Sequence, residues 1–228
     1  MTGPSVTLAI DTSGGTHVAV LRGDAVLARA ERADARGHAE NLAPLVAAAL
    51  DEAGLVPADV TGVAVGTGPA PFTGLRVGLV TAAAFAAVRG LPVHGVPSLE
   101  AWALGSREAA GASGAREVRV VTDARRREVY TARYAYDASA PGGLSVLEEP
   151  RVVLPAELAG TVADERAAGG VVAGPGLYPD VLGPSAGTFD VAALALLATA
   201  RAEAGVPTPT EPLYLRRPDI HGVPAGAA

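Results

Sequence analysis

The run GTGPAPFTGLRVG at residues 66–78 decides the fold class of this chain. It follows a short apolar segment, 60–65, that predicts a buried strand, and it leads into a small-residue segment, 75–89, that predicts a helix. Glycine-rich turns between a strand and a helix are typical of α/β proteins. Such turns bind anions, because free backbone N–H groups and the positive end of the helix dipole point the same way. The run therefore predicts an α/β fold and leaves a choice between a phosphate site and a docking element.

The sequence argues against two familiar phosphate sites at this run. All 18 basic residues are arginine, so the lysine that a P-loop needs is missing, and Schiff-base chemistry is excluded as well. Pro71 stands where the dinucleotide-binding fingerprint requires its third glycine. A phosphate site built on either motif is excluded.

The composition excludes several further classes of protein. With 49% hydrophobic and 18% charged residues, the 228-residue chain is expected to be globular. It has no cysteine, which rules out disulfides, thiolate metal sites and a cysteine nucleophile. No apolar run is long enough to span a bilayer, so we expect a cytoplasmic protein without membrane contact. The formal charge of −6 disfavours direct nucleic-acid binding.

The sequence also lacks motifs typical of metal sites and of serine hydrolases. The four histidines show no helical pair spacing, so no metal site is expected, and His38 alone is better explained as a surface or capping residue. No Gly-x-Ser-x-Gly elbow is present, which leaves peptidase activity without support.

Turn signals and apolar periodicity divide the chain into three parts. Residues 1–104 are predicted to form one domain, completed by a late helix at 190–205 that Asp190 caps. A Gly/Ser/Ala-rich stretch, 105–114, predicts a boundary to a smaller domain at 105–189, and an extended proline-rich tail follows at 206–228. Within the first domain we expect a helix beginning between residues 38 and 41 with Pro44 in its first turn, and a later helix capped by Ser98.

Two patterns recur about 110 residues apart. The first is a strand that ends in aspartate, a tight turn and a returning strand, at 7–21 and again at 118–136. The second is VAVGTG at 63–68, which is echoed by VVAGPG at 171–176. The repetition indicates an internal duplication. The alternative is that strand-then-glycine turns recur by chance in any α/β chain.

Five motifs, in order and spacing, resemble the bacterial TsaB (YeaZ) family. They are IDTS at 10–13, GTGPAPFTGLRVG at 66–78, PSLEA at 97–101, DARRREVY at 123–130 and PLYLR at 212–216. The resemblance covers roughly residues 6 to 217, and the long glycine motif is its most specific part.

The resemblance implies an actin-like ATPase fold, with two tandem ribonuclease-H-like domains whose mixed sheets are flanked by helices. It also implies a non-catalytic subunit of the machinery that makes N6-threonylcarbamoyladenosine at position 37 of tRNAs reading codons that begin with A. The expected partners are a TsaD-type catalytic subunit and a TsaE-type ATPase, with a homodimer when the chain is alone and tRNA bound only through the complex. ATP or ADP and the metal are expected on the partner subunits, and no intrinsic cofactor is expected.

In active members of that fold, two strand-end aspartates and their turns flank a nucleotide. The corresponding residues, which predict a vestigial nucleotide cleft, are Asp11, Thr12, Ser13, Asp123 and Gly174. At the second turn, kinases of that fold have an Asp-x-Gly motif, whereas this chain has Asp123-Ala124-Arg125. Side chains therefore stand where the backbone must approach a phosphate. The alternative role for both aspartates is to bind N–H groups of their own turns.

The helix after the glycine run has a stripe of small residues, Gly78, Ala82 and Ala86, that would let another helix pack closely. The alternative is that this helix packs on the chain's own sheet. With the family resemblance, we expect one side to form an intersubunit surface with the first helix. The candidate interface residues are Asn41, Leu45, Pro69, Phe72, Thr73, Arg76, Val77, Val80, Thr81 and Ala84.

For arginines at two places, the sequence predicts a contact but leaves the kind of contact open. Arg76 falls in the first helical turn, where the dipole disfavours a cation, so a carboxylate, a bound anion or a partner's acidic residue is expected beside it. The run 125–127 is either a solvated hairpin tip or a contact to tRNA phosphate or an acidic partner.

Two functions compete with a scaffold subunit. The first is an independent actin-fold enzyme, an ATP-dependent small-molecule kinase or carbamoyl transferase, which nucleotide binding and partner-free ATP turnover would favour. The second is a direct tRNA-binding module, which the net charge disfavours.

Overall fold

The computed structural model describes residues 4–32 and 37–216. Its strands, in chain order, are β1 (Val6–Asp11), β2 (Thr16–Arg22), β3 (Ala25–Arg32), β4 (Gly62–Gly66), β5 (Val93–Val96), β6 (Glu117–Asp123), β7 (Val129–Tyr136), β8 (Leu144–Val153) and β9 (Val171–Ala173). Its α-helices are α1 (His38–Glu52), α2 (Phe72–Ala87), α3 (Ser98–Gly105), α4 (Arg107–Ser113), α5 (Pro155–Ala167), α6 (Pro179–Leu182) and α7 (Ala192–Glu203).

Two mixed sheets share one strand arrangement, which supports the predicted duplication. The first sheet has the order β3-β2-β1-β4-β5 and the second has the order β8-β7-β6-β9. In each, the strand that ends in aspartate pairs antiparallel with the strand after its turn and parallel with the strand before a glycine turn. The predicted α/β class, with two mixed sheets flanked by helices, is thereby confirmed.

Helices and sheets alternate in five layers. Helices α1 and α2 pack on one face of the first sheet through alternate strand residues such as Leu8 and Ile10. The opposite face, with Ala9, shares its hydrophobic cluster with α3, α7 and the second sheet. Helix α5 covers the outer face of the second sheet. Helix α7 packs on strands β1, β2, β4 and β5 of the first sheet.

The glycine run connects β4 to α2, and its glycines allow close packing. A β-carbon at Gly66 would overlap the Asp11 carboxylate, and one at Gly78 would lie 2.5 Å from Thr12 Oγ1. Thr12 Oγ1 accepts a hydrogen bond from the Gly78 amide at 3.1 Å and donates to the Gly74 carbonyl at 2.9 Å. One side of α2 is therefore hydrogen-bonded to Thr12, which directly follows β1. Neither Gly66 nor Gly78 leaves space for a side chain at this contact.

Several local predictions were wrong. Helix α2 begins at Phe72, three residues before the predicted start, so Arg76 lies beyond the first turn. Pro44 lies inside α1 instead of in its first turn. Its exposure lets water reach the carbonyl that the missing N–H leaves unpaired. Ser98 caps nothing, because its hydroxyl donates to Asp11 Oδ2.

The predicted boundary stretch at 105–114 is largely helical. Its alanines favour helix, and α4 buries Ala110 completely. Gly105 lies so close to the Thr188 backbone that a β-carbon would overlap the carbonyl oxygen. The stretch is therefore packed against the chain that leads into α7. Asp190 acts as predicted, since its Oδ1 accepts the Ala192 amide hydrogen bond at 3.0 Å.

A buried ion cluster joins α5 to the second sheet. The side chain of Arg119 on β6 is 1% exposed and binds both carboxylate oxygens of Glu165, at 2.5 and 2.7 Å. It also donates to Glu148 Oε1 at 2.8 Å. Burial alone would lower the pKa of Arg119, but the bonds to the two carboxylates raise it above its ordinary value. In return, the bond from Arg119 holds the pKa of Glu148 below its usual range.

No helix within residues 4–32 and 37–216 is long and apolar enough to cross a membrane. The predicted tail at 206–228 is described only as far as Arg216, and its last part, 217–228, lies outside the described residues.

We predict opposite effects for alanine at two helical glycines. Gly78→Ala should lower the free energy of unfolding by about 1–3 kcal/mol, because the new methyl group displaces Thr12 and breaks its bonds. A β-carbon added at Gly160 in α5 would meet no atom within 4 Å, so Gly160→Ala should raise the same free energy by roughly 0.5–1 kcal/mol. Urea titration followed by circular dichroism measures both. Equal effects of the two substitutions would contradict the packing role of Gly78.

Candidate functional site

A cavity of about 630 Å³ opens where the ends of β1 and β6 face each other. The glycine run forms one side of it, and the second hairpin turn and the C-terminal tail form others. Its lining residues are Thr12, Ser13, Gly14, His17, His38, Pro69, Ala70, Pro71, Phe72, Thr73, Gly74, Ser98, Leu99, Trp102, Thr122, Asp123, Ala124, Arg125, Tyr130, Pro175, Phe189, Tyr214 and Arg216. The volume is within the range of small-ligand sites.

Both strand-end aspartates bind their own turns. Asp11 is fully buried, and its Oδ1 accepts hydrogen bonds from the amide and hydroxyl of Ser13 at 2.7 and 2.6 Å. Its Oδ2 accepts from the hydroxyl of Ser98 at 2.5 Å. At the equivalent place in the second repeat, Asp123 Oδ1 accepts from the Arg125 amide at 2.7 Å. The alternative role for these aspartates, binding N–H groups of their own turns, is the one that the structure shows.

The residues predicted for a vestigial nucleotide cleft are only partly brought together. Thr12, Ser13 and Asp123 line the cavity, whereas Asp11 lies beneath it and Gly174 is absent from its lining. Gly174 instead fits against the Val121 carbonyl, where a β-carbon would overlap. Neighbouring Pro175 reaches the cavity in its place.

The second hairpin turn is unsuited to hold a phosphate on its backbone. Residues 125–127 are three successive arginines in the left-handed conformation, with φ of 65°, 52° and 64°. Their side chains are exposed at the hairpin tip, and Arg125 lines the cavity. The Arg125 guanidinium also lies 3.3 Å from Asp123. Side chains thus occupy the place where a phosphate would need bare backbone.

The two histidines of the cavity are held by neighbouring side chains. His38 Nδ1 lies 2.8 Å from the hydroxyl of Thr16, and His17 Nδ1 lies 3.3 Å from Glu31. In the part of the chain that the structure describes, no three His, Asp or Glu side chains are grouped as metal ligands would be. The described part of the site therefore offers no cluster of metal ligands.

The described part of the C-terminal tail is extended and reaches the cavity, where Tyr214 and Arg216 line it; we call this segment, 206–216, the strap. The Gly95 amide donates to the Thr208 carbonyl at 3.0 Å, and the Leu213 amide donates to the Thr67 carbonyl at 2.8 Å. Further along, Arg216 donates to the Ala124 carbonyl and pairs with Glu128. The strap therefore bonds to both sheets.

Within the chain, Arg76 contacts two aromatic residues. Its guanidinium carbon lies 3.7 Å from the centre of the Phe72 ring, and its Nε donates to the Tyr214 hydroxyl at 3.1 Å. Phe72 and Tyr214 are themselves in ring contact, with centroids 4.8 Å apart. An aromatic face and a phenol, not a carboxylate, stand beside this cation.

The small-residue stripe of α2 faces inward. Gly78, Ala82 and Ala86 are buried against the chain's own sheet, so the prediction that this stripe presents a docking face was wrong. The periodicity defined a face, but small residues suit a close approach to the chain's own sheet as well as to a partner helix.

The candidate interface residues divide by exposure. Thr73, Arg76, Val80 and Ala84 are exposed, and Val80 is 65% exposed. Pro69 is buried and lines the cavity, which removes it from the outer surface. The half-buried candidates are Asn41, Leu45, Phe72, Val77 and Thr81.

The aromatic character of the cavity was not predicted from the sequence. Phe189 contacts the rings of His17 and Trp102, with centroids 4.7 and 5.7 Å away. Tyr130 is 2% exposed and lines the cavity, and burial raises the pKa of its phenol. These residues lie far apart in sequence, so only the scarcity of aromatics, 4% of the chain, could have drawn attention to them.

Comparison with known proteins finds similarity to proteins of tRNA threonylcarbamoyladenosine biosynthesis. Residues 30–168 match the family described as TsaD, tRNA N6-adenosine threonylcarbamoyltransferase. An uncharacterised protein of Mycobacterium tuberculosis is 43% identical, over 94% of this chain and 93% of its own length. The tRNA threonylcarbamoyladenosine biosynthesis protein TsaB of Bacillus subtilis is 35% identical, over 57% of this chain and 55% of its own length.

A solved structure is also similar to this chain over nearly its whole length. The protein from Pseudomonas aeruginosa, described as having similarity to the peptidase YeaZ, superposes with a TM-score of 0.76 at 30% identity. The superposition covers 93% of this chain and all of that one.

We predict that removing the charge of Asp11 lowers the free energy of unfolding more than removing the charge of Asp123. Asp11→Asn should lower the free energy of unfolding by about 2 kcal/mol, because a buried oxygen that accepts from Ser98 becomes a donor. Asp123→Asn should change it by less than about 1 kcal/mol, because this side chain is 44% exposed and water can replace its bonds. Thermal and urea unfolding measure the difference, and equal costs would refute the structural role of Asp11.

Proposed function

This chain belongs to the TsaB (YeaZ) family, and on that basis we propose that it serves threonylcarbamoyladenosine formation in tRNA as a non-catalytic docking subunit. Its partner would be a TsaD-type threonylcarbamoyltransferase. The TsaB relative is described as a protein of threonylcarbamoyladenosine biosynthesis, and the matching family is described as the transferase itself.

The main support for this proposal is the apolar outward face of α2. Val88 and Val80 are the two most exposed large hydrophobic residues among those described, at 87% and 65%. Ala83, Ala84 and Ala87 are exposed on the same helix. On α1, which packs beside α2, residues 43, 44, 47 and 48 are likewise small, apolar and exposed. Two adjacent helices thus present an apolar surface that lacks long side chains, which suits close packing by a partner's helices.

The strand-end aspartates support the non-catalytic role. In the competing function, an ATP-dependent kinase or carbamoyl transferase, these carboxylates would face a nucleotide. Here Asp11 accepts three hydrogen bonds below the cavity, and Asp123 accepts one from its own turn. Partner-free ATP turnover by the purified chain would favour the competing function.

The remaining partners follow from the same proposal. A TsaE-type ATPase would join the pair, and the chain alone would form a homodimer through the same helices. ATP or ADP and the metal would reside on the partners, and tRNA would bind through the complex, since this chain carries a net charge of −6.

Reconstitution tests the function. Threonylcarbamoylation of tRNA by TsaD- and TsaE-type proteins of the same organism should require this chain, and the chain alone should produce no modified tRNA. A reconstituted system that is equally active without it would contradict the proposal.

Charged substitutions test the docking face. We predict that Val80→Glu and Ala84→Arg leave the chain folded and abolish co-elution with the TsaD-type protein on a sizing column, because each buries a charge in an apolar contact. Val146→Glu is the matched control, since Val146 is 42% exposed but lies on β8 of the second sheet. Co-elution of the α2 variants at the level of this control would show that the face is not the interface.

A further inference from the structure

The cavity concentrates the aromatic residues of this chain. The sequence holds three Phe, one Trp and five Tyr. Five of these nine line the cavity: Phe72, Trp102, Tyr130, Phe189 and Tyr214. The core elsewhere is mainly aliphatic, so this clustering is not a by-product of general core packing.

The rings form two groups on the cavity wall. One is His17, Phe189 and Trp102 in series, and the other is Phe72 with Tyr214, backed by Arg76. Ring faces and edges of this kind favour planar ligands, which stack or pack edge-to-face on them.

Two donors on the wall have no acceptor among the described residues. Tyr130 is 2% exposed and lines the cavity, and its hydroxyl donates to no described residue. The indole N–H of the half-buried Trp102 also donates to no described residue. The phenol and the indole are therefore available to donate to a group bound in the cavity.

The charges around the mouth favour an anion. Arg125 and Arg216 line the cavity, and Arg76 lies against Phe72 on its wall. Arg125 pairs with Asp123 and Arg216 with Glu128, whereas Arg76 contacts an aromatic ring and a phenol. Three guanidinium groups and two carboxylates thus lie around this mouth, an excess of one positive charge in a chain whose net charge is −6. Guanidinium groups suit carboxylates in particular, because their fork matches both oxygens.

The turns disfavour a nucleotide polyphosphate as the anion. In these two turns the Ser13 and Arg125 amides are already bonded to Asp11 and Asp123, so neither is available to a phosphate. The cavity's own donors include a phenol, an indole and arginine side chains, which suit one compact anionic group.

We propose that this cavity is a binding site for a planar aromatic or heteroaromatic carboxylate. The ring lies between the two aromatic groups of the wall, and Tyr130 donates its hydroxyl to the carboxylate, with Arg125 at the mouth. The site is separate from the outward face of α2, so its existence does not depend on the proposed docking function.

The single tryptophan makes occupancy directly measurable, because Trp102 lines the cavity and no other residue contributes indole fluorescence. Titration of the full chain with 2-naphthoate should quench this fluorescence saturably. The uncharged analogue 2-naphthamide should bind about tenfold more weakly, since it lacks the anion. ATP with Mg²⁺ should neither quench the signal nor displace 2-naphthoate.

Two tyrosine variants separate the site from a general affinity for aromatic compounds. Tyr130→Phe removes only the unpaired hydroxyl and should weaken 2-naphthoate binding about tenfold, while unfolding is unchanged or slightly improved. Tyr178→Phe, outside the cavity lining, should bind like the unaltered chain. No saturable quenching at millimolar 2-naphthoate, equal binding by Tyr130→Phe, or tighter binding of ATP than of 2-naphthoate would each overturn the proposal.

Discussion

The side-on contact between α2 and the end of β1 is the interaction on which the rest of the structure depends. Thr12 bonds to the helix at Gly74 and Gly78, and Asp11 bonds through Ser98 to the start of α3. Gly66 lets the Asp11 carboxylate lie against β4. This set of bonds fixes where α2 leaves the sheet, and hence which of its sides is covered and which remains outside.

The two repeats share the same hydrogen bond between aspartate and turn, but the surroundings of the two aspartates differ. Each places an aspartate at the end of its leading strand, and each aspartate binds the amide two residues later. In the first repeat the carboxylate is sealed off from solvent, and in the second it is partly open but followed by three arginines in left-handed conformation. Non-glycine residues in that conformation carry a conformational cost, which other contacts of the turn must offset. The Arg125–Glu128 backbone bond and the Asp123 contacts do so.

Features encoded within a few residues could be predicted from the sequence, and features that join distant segments could not. The glycine turn between strand and helix, both aspartate turns and the matching strand arrangement of the two sheets follow from local patterns, and all are present. The orientation of α2 was misjudged, because Gly78 and Ala82 fit a close approach on either side. The pairing of Arg76 with Tyr214 spans 138 positions, and the cavity is lined by residues from 12 to 216, so neither leaves a local signal.

The C-terminal strap has a thermodynamic consequence for any partner of this chain. It is bonded to Thr67 beside the first sheet and to Ala124 beside the second, so changing the angle between the sheets would require breaking both bonds. A cleft braced at its open side resists the opening and closing motion of a hinge. A surface of fixed shape loses little conformational freedom on association, so a larger share of the contact energy is available as affinity.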